Sequence, residues 1–357
     1  MLRQKELTEL KAYKYLLCLC LTVGLLLRLT GCAAGRTEPK RMTYYTYFDT
    51  VTDVYSYANE TQADFDANCQ LVADTLEGYH QLFDIYHEYD GTVNLATVNR
   101  NAGGDALEVS PELIDFLLEA RTMYDTTGGE MNVMMGAVLR LWHDCREDAA
   151  RDAENARLPA SGDLERAARH IAISALEIDP VRHTVRITDP EASLDVGALA
   201  KGYAAERAAE RLKAAGADGY VLNIGGNLRL LGAKPDGSGW VTGIQDPRRS
   251  GEYAAKVVLQ DTSCVTSGDY ERYYTVDGVR YCHIIDKDTR MPARYLSSRR
   301  TAHWRTPCPP RCSVCPTRTG WRWYRHSKTC RCFGFCPTAP NIRPGISPCG
   351  RHDSPQP

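Results

Sequence analysis

Asp195-Val-Gly-Ala-Leu-Ala-Lys-Gly202 is the stretch on which the reading of this 357-residue chain turns. Upstream of it, Thr184-Val-Arg-Ile-Thr188 has the β-branched content of a strand. Downstream, Leu199 to Ala214 is built from Ala, Glu, Arg, Lys and Leu, with Leu199, Tyr203, Ala208 and Leu212 on one side. That composition and spacing predict a helix, which Gly216 closes. Tyr220-Val-Leu-Asn-Ile224 predicts a further strand, ended by Gly225-Gly226. A strand, a tight glycine turn and a helix start together offer free backbone N–H groups, which attract phosphate. Lys201 adds a full positive charge there, and Asp195 is placed to hold a ribose or a base edge. The same residues admit a plainer reading, with Asp195 as a helix N-cap and Lys201 as a solvated cation.

Outward from this centre the chain alternates helices and strands. Tyr44 to Ala58 predicts a strand interrupted at Phe48-Asp49-Thr50, and Asp64 to Phe83 a helix with Phe65, Leu71, Leu76 and Leu82 apolar. An aromatic loop follows at Phe83 to Gly91. Ser110-Pro111 starts a helix that runs to about Tyr124, with Ser at the cap and Pro in the first turn. Thr126 to Asn132 is a glycine turn, and Val133 to Trp142 predicts a buried helix. Arg146 to Arg169 is charged and Ala-rich and reads as solvated surface helices broken at Leu158 to Gly162. Beyond the centre, Trp240 to Gln245 and Ala254 to Leu259 predict strands, with a turn at Asp246-Pro247 between them. A third glycine turn falls within Cys264 to Tyr270. Arg272 to Val276 and Val279 to Ile285 predict a hairpin about Asp277-Gly278, and His283 lies on its second arm.

Net charge is −2, which leaves no footprint for nucleic acid. The N-terminus carries Arg3, Lys5, Lys11 and Lys14, an apolar core from Tyr15 to Leu27, and then Leu29-Thr30-Gly31-Cys32. This resembles a bacterial lipoprotein signal, in which Cys32 becomes the lipid-modified first residue; the alternative is an uncleaved signal anchor. The expectation is a signal peptide over residues 1–31, a tether over 32–43, and a folded body outside the cytoplasm, held to the cell-envelope membrane by lipid. Cys69, Cys145, Cys264 and Cys282 have no paired spacing and predict no disulfide framework.

Five motifs, in order, resemble the FAD:protein FMN transferase family, the flavin transferases of the thiamine-biosynthesis lipoprotein type. They are Asp195 to Gly202, Asn223-Ile-Gly-Gly-Asn227, Gly243-Ile-Gln-Asp-Pro-Arg248, Thr266-Ser-Gly-Asp-Tyr270 and His283-Ile-Ile-Asp286. The resemblance covers residues 44–298 and implies an α+β fold, with mixed sheets and helices around a flavin cleft. It implies a reaction in which FAD binds with Mg²⁺ and a Thr or Ser hydroxyl of an acceptor redox protein attacks the FMN phosphorus. AMP leaves and FMN stays on the acceptor. By this resemblance Asp195 and Lys201 contact FAD, and the backbone carbonyl of Ala198 is a Mg²⁺ ligand. Phe48, Tyr86 and the segment Glu130-Met131-Asn132 fall at cofactor-contact positions, the last with side chains unlike the family's usual Ala, Phe and Asp. His283, with Ile284 beside it, aligns with the His that assists the hydroxyl. Two other outcomes fit the same fold: an FAD pyrophosphatase giving FMN and AMP, and an inactive flavin-binding lipoprotein.

The family pattern breaks at Thr289-Arg290-Met291-Pro292, where Arg stands in place of Gly, and after Ser298 the composition changes. Residues 299–357 hold ten Arg, ten Pro, seven Cys and three Trp but no Leu or Met, a charge of +10 against −12 for the rest. No helical or strand period is legible there. An out-of-frame reading after codon 298, a zinc module on Cys312, Cys315, Cys330 and Cys332, and a disordered basic tail touching anionic lipid are the three readings. The family's remaining metal ligands have no counterpart in it.

Overall fold

In the computed structural model, residues 38–246, 249, 251–267, 272–292, 319–326 and 330–337 are described; the side chains of residues 245, 254, 267 and of the last two segments are not. Cys32, Arg248, the segment from Gly268 to Tyr270, and Cys312 and Cys315 lie outside them. No helix among the described residues is long and apolar enough to cross a membrane.

The frame is a seven-stranded antiparallel sheet. Its members are β1 (Lys40–Tyr44), β2 (Thr52–Ser56), β6 (Tyr220–Ile224), β7 (Asn227–Leu231), β10 (Thr262–Ser267), β13 (Thr319–His326) and β14 (Cys330–Pro337). They lie in the order β1-β2-β6-β7-β10-β14-β13. The register sets Thr52 beside Ile224 and Ile224 beside Asn227. A smaller sheet is ordered β3-β5-β4, from β3 (Leu107–Glu108), β4 (Leu176–Asp179) and β5 (Thr184–Ile187). Two hairpins complete the strands: β8 (Trp240–Gln245) with β9 (Tyr253–Leu259), and β11 (Tyr273–Val276) with β12 (Val279–Cys282). The helices are α1 (Gln62–Phe83), α2 (Leu95–Arg100), α3 (Pro111–Thr126), α4 (Gly136–Arg151), α5 (Ser161–Ala167) and α6 (Ala200–Ala214). The fold is α+β, as the resemblance implies.

Three apolar clusters hold these pieces. In the first, α1 and α6 lie on one face of the main sheet: Phe65, Val72 and Leu76 meet Ala204, Ala208 and Leu212 over Val54, Leu222 and Ile224. The alanines of α6 recur at helical spacing and keep that face thin, so the helix sits close to the sheet. The second cluster joins α3 and the small sheet through Leu113, Phe116, Leu117, Leu176, Ile187 and Leu194. The third sets Trp142 and Cys145 of α4 against Tyr274 and Tyr281 of the β11–β12 hairpin.

The predicted start at Ser110 holds, its side chain accepting from Leu113 N, while the helix expected from Asp64 begins at Gln62, where Thr61 caps it and accepts from Asp64 N. The strands expected on either side of the central stretch are both present, in different sheets. Three sequence expectations need correction. The first strand begins at Lys40, inside the expected tether, because Lys40 to Tyr44 finds a full set of backbone partners on β2. The helix expected over Val133 to Trp142 starts at Gly136 and runs to Arg151, taking in part of the presumed surface run. The tail, in which no strand period is legible, contributes β13 and β14, with Val265↔Phe333 and Thr266↔Cys332 in register. An open sheet edge presents unpaired N–H and C=O groups, and an extended chain satisfies them through its backbone without an alternating side-chain pattern.

Candidate active site

The central stretch is held by its backbone. Leu194, Val196, Leu199 and Ala200 point into the second cluster, which leaves Asp195 half-buried and Gly197 and Ala198 exposed. Asn99 clamps Leu194 from both sides: its Oδ1 accepts the Leu194 N–H at 2.7 Å and its Nδ2 donates to the Leu194 carbonyl at 3.0 Å. Asp195 N donates to the Val133 carbonyl at 2.8 Å, and Gly136 N to the Ser193 carbonyl at 3.1 Å. A Cβ on Gly136 would stand 2.5 Å from that Ser193 oxygen, so the approach requires glycine.

Asp195 does not cap α6. Its Oδ1 accepts the Gly197 N–H at 2.9 Å, and Leu199 at the cap position gives the helix no side-chain acceptor. The first-turn N–H groups of α6 are therefore left without a side-chain partner, with Lys201 among them. Burial pushes the Asp195 carboxyl above its ordinary value, against the Gly197 N–H and the charges of His143, Arg146 and Lys201. Burial likewise lowers Lys201; the neighbouring charge of Arg272 adds to this, and Asp195 and Asp49 oppose it. The cations Lys201, Arg146 and Arg272 thus act on one partly desolvated space that they share with Asp195 and Asp49, a setting in which an anionic ligand would find positive charge.

The other wall comes from the turn between β1 and β2. Phe48 and Asp49 have φ of 54° and 50°, a left-handed turn that few residues other than glycine adopt. The Phe48 N–H donates to His80 Nδ1 at 3.4 Å, and its ring meets the His80 ring edge-on at 5.6 Å. The Arg272 guanidinium reaches the Asp49 carbonyl at 3.5 Å, tying this turn to the β11–β12 hairpin. Tyr86 is 55% exposed, so its ring is offered to solvent. Asp84 accepts the Tyr86 and His87 N–H groups at 2.7 and 3.0 Å and sets that loop. The Tyr86 ring lies 5.4 Å from His143, which in turn accepts from Arg146 at 2.8 Å.

His283 follows the last residue of β12. Its N–H donates to the Arg272 carbonyl at 3.0 Å, and its Nδ1 lies 3.2 Å from the same oxygen. A carbonyl only accepts, so Nδ1 carries the proton and Nε2 presents a lone pair. Burial lowers the imidazole below its ordinary value; the carbonyl contact opposes this, and the charges of Arg272, Arg146 and Lys201 lower it further. His283 is therefore a neutral base at neutral pH. Ile284 beside it is 36% exposed.

The segment Glu130-Met131-Asn132 sits otherwise. Glu130 is exposed and 3.9 Å from Lys287, just past His283 in the chain. Met131 packs on the second cluster. Asn132 spends its side chain locally, donating to the Ile171 carbonyl and accepting from Met134 N, both at 2.9 Å. Ala198 is an exposed residue, its carbonyl receives no hydrogen bond from any described residue, and a hard oxygen of this kind suits Mg²⁺. Among the described residues no three His, Cys, Asp or Glu side chains group for a metal, so they do not complete a Mg²⁺ ligand set.

Sequence reading missed Asn99, His143, Arg146 and Arg272. Arg146 reads as part of a solvated face and Arg272 as a strand residue; only the fold turns both toward Asp195 and His283. Asn99, near the end of a short helix, carries no sequence signal for its clamp.

The ApbE family's sequence profile matches residues 48–300. Among curated proteins, the chain is 35% identical to the FAD:protein FMN transferase of Treponema pallidum over 208 residues, covering 56% of this chain and 57% of that one. It is 30% identical to the Vibrio cholerae protein of the same name over 204 residues, covering 56% and 58%. The chain thus spans less than two thirds of the curated relatives it matches. Among solved structures, the ApbE protein of Thermotoga maritima superposes with a TM-score of 0.62 at 25% identity, covering 72% of this chain and 79% of that one. The flavin transferase ApbE of Vibrio cholerae gives 0.60 at 25%, with the same shares. With a profile match across most of its length, the chain belongs to the ApbE family.

Proposed function

We propose that this chain is an enzyme of the FAD:protein FMN transferase class, moving FMN from FAD to a Thr or Ser hydroxyl of an envelope redox protein and releasing AMP. The observation that carries the reading is the setting of His283: a neutral imidazole with Nε2 free, under the field of Lys201, Arg146 and Arg272. A hydroxyl attacking phosphorus needs a base for its proton and positive charge around the phosphoryl oxygens. Nε2 of His283 takes the hydroxyl proton. The Lys201 ammonium and the backbone N–H groups of Lys201 and Gly202 at the start of α6 meet the pyrophosphate. Tyr86 and Phe48 offer aromatic faces to the flavin or adenine, and Asp195 a carboxylate to a sugar or base donor.

Mg²⁺ is part of the proposal, resting on the Ala198 carbonyl and on FAD's own phosphate oxygens; when bound it would neutralise developing phosphate charge. The described residues give it too few ligands for any step to be assigned to it. Attachment to the envelope membrane through lipid on Cys32 is likewise proposed. Cys32→Ser should move the protein from the membrane to the soluble fraction, and equal retention of both forms would exclude a lipid anchor. The catalytic reading is tested by incubating the full chain with FAD, Mg²⁺ and a Thr-containing acceptor. Covalent flavin on the acceptor supports it, and FAD recovered unchanged removes it.

A further inference from the structure

His143 is a second imidazole at this cleft, and the hydrogen bonds of the two histidines fix opposite tautomers. His283 places its Nδ1 on the Arg272 carbonyl, which leaves a lone pair on Nε2. His143 lies on α4, half-buried, on the same face as Arg146 at an i, i+3 spacing. The Arg146 Nη2 stands 2.8 Å from His143 Nδ1. A guanidinium only donates, so Nδ1 of His143 accepts and its Nε2 carries the hydrogen. Arg146 also lines one small pocket together with His283, so a single guanidinium stands between the two imidazoles. The Tyr86 ring lies 5.4 Å from the His143 ring, tilted by 32°. Burial raises the Tyr86 phenol, Asp195 adds to this and Arg146 opposes it, so the partners of His143 and the central stretch share one space.

We propose that His143 is a further catalytic residue, whose Nε2–H donates a hydrogen bond to the oxygen that leaves on AMP. The inference rests on the transferase reading of the cleft. One imidazole offers a lone pair and the other an N–H, which are the two things a displacement at phosphorus needs on its opposite sides. The acceptor hydroxyl oxygen bonds to the FMN phosphorus and its proton passes to His283 Nε2. The bond from that phosphorus to the bridging oxygen breaks, and its electron pair stays on the AMP oxygen. His143 meets that growing charge. A neutral imidazole is too weak an acid to give up its hydrogen, so His143 acts as an electrophile and no proton leaves it. Arg146 is the positioning residue that holds the tautomer.

The test uses the full chain with Mg²⁺ and a Thr-containing acceptor, for wild type, His143→Phe and His143→Gln. Two flavin donors are compared: FAD, and the p-nitrophenyl ester of FMN, whose phenolate leaves without help. His143→Phe keeps a ring beside Tyr86 and removes the N–H, whereas His143→Gln keeps an N–H donor. With FAD, kcat should fall about a hundredfold in His143→Phe while FAD affinity stays within about threefold. His143→Gln should recover about tenfold of that loss, the worth of one hydrogen bond. With the nitrophenyl ester, both variants should stay within about twofold of wild type, because the leaving oxygen needs no donor. An equal loss on the two donors, His143→Gln as slow as His143→Phe, or full turnover of FAD by His143→Phe would each overturn the proposal. Failure of the underlying reading is distinguishable and takes this inference with it: wild type would then flavinylate the acceptor from neither donor.

Discussion

His283 and Arg272 are joined twice at one oxygen: the Arg272 carbonyl lies 3.0 Å from the His283 backbone nitrogen and 3.2 Å from its Nδ1. The first contact continues the hairpin ladder by one residue, and the second fixes the ring and its tautomer. The same residue that orients the base sends its guanidinium across to the Asp49 carbonyl. Arg272 therefore links the hairpin, the β1–β2 turn and the base.

The titration of His283 has a definite sign. Its imidazole is held below the ordinary histidine value, first by burial, so the neutral form that can accept a proton persists to lower pH than for a free histidine. The acid limb of kcat/KM for transfer should fall below about pH 6.5, the unperturbed value. His283→Ala should remove that limb along with most of the rate. An acid limb in wild type above the ordinary value would show that some other group is the base.

Asp195→Ala and Lys201→Ala should each weaken FAD binding by about 1.5–3 kcal/mol, the worth of a hydrogen bond to a charged group. Lys201 carries its charge at a desolvation cost in the free protein, so Lys201→Met should hold or raise the melting temperature while binding falls. Unchanged FAD affinity in both alanine variants would remove these residues from the site.

Gly136→Ala should act on the site from a distance. The new Cβ meets the Ser193 carbonyl and hydroxyl at 2.5 and 2.6 Å, and the segment that carries Asp195 must shift. FAD affinity should fall at least as far as in Asp195→Ala, with the fold retained by circular dichroism. A variant with wild-type affinity would show that the segment can yield without moving Asp195.

Arg229 and Glu206 join β7 to α6 in the core. Arg229 is fully buried, with Nε and Nη2 at 2.7 and 3.0 Å from the two carboxylate oxygens, and its Nη1 is 3.2 Å from Asp261. Arg229→Met leaves the buried Glu206 carboxylate unpaired and should cost about 3–5 kcal/mol. Arg229→Met with Glu206→Leu should recover most of that loss, because the pair's own desolvation cost is removed with it. Urea unfolding of the single and double variants measures both. A double variant no more stable than the single would mean that the pair gives more than it costs to bury.

Much of this was legible in the sequence, for reasons that can be given residue by residue. Leu194, Val196 and Leu199 against Asp195, Gly197 and Ala198 show which side of the central stretch faces the core. Thr61 and Ser110-Pro111 announce their helices through cap chemistry that is local. Arg229 in the middle of an apolar strand gives no hint that its partner stands one helix away, and Arg146 in a charged run gives none that it faces His283. Those pairings are made by tertiary packing, to which periodicity and propensity are blind. The tail strands escaped because the pairing of β14 to β10, and of β13 to β14, is a property of the open edge and not of their own pattern.

The most direct measurement is mass spectrometry of a Thr-containing acceptor after incubation with the full chain, FAD and Mg²⁺, with and without a chelator, for wild type and His283→Ala. The prediction is an FMN phosphoester on the acceptor Thr and one AMP per flavin transferred, abolished by the chelator and by His283→Ala. Equal flavinylation by wild type and His283→Ala, or an acceptor left unmodified while FAD is bound, would contradict the assignment of a transferase built around His283.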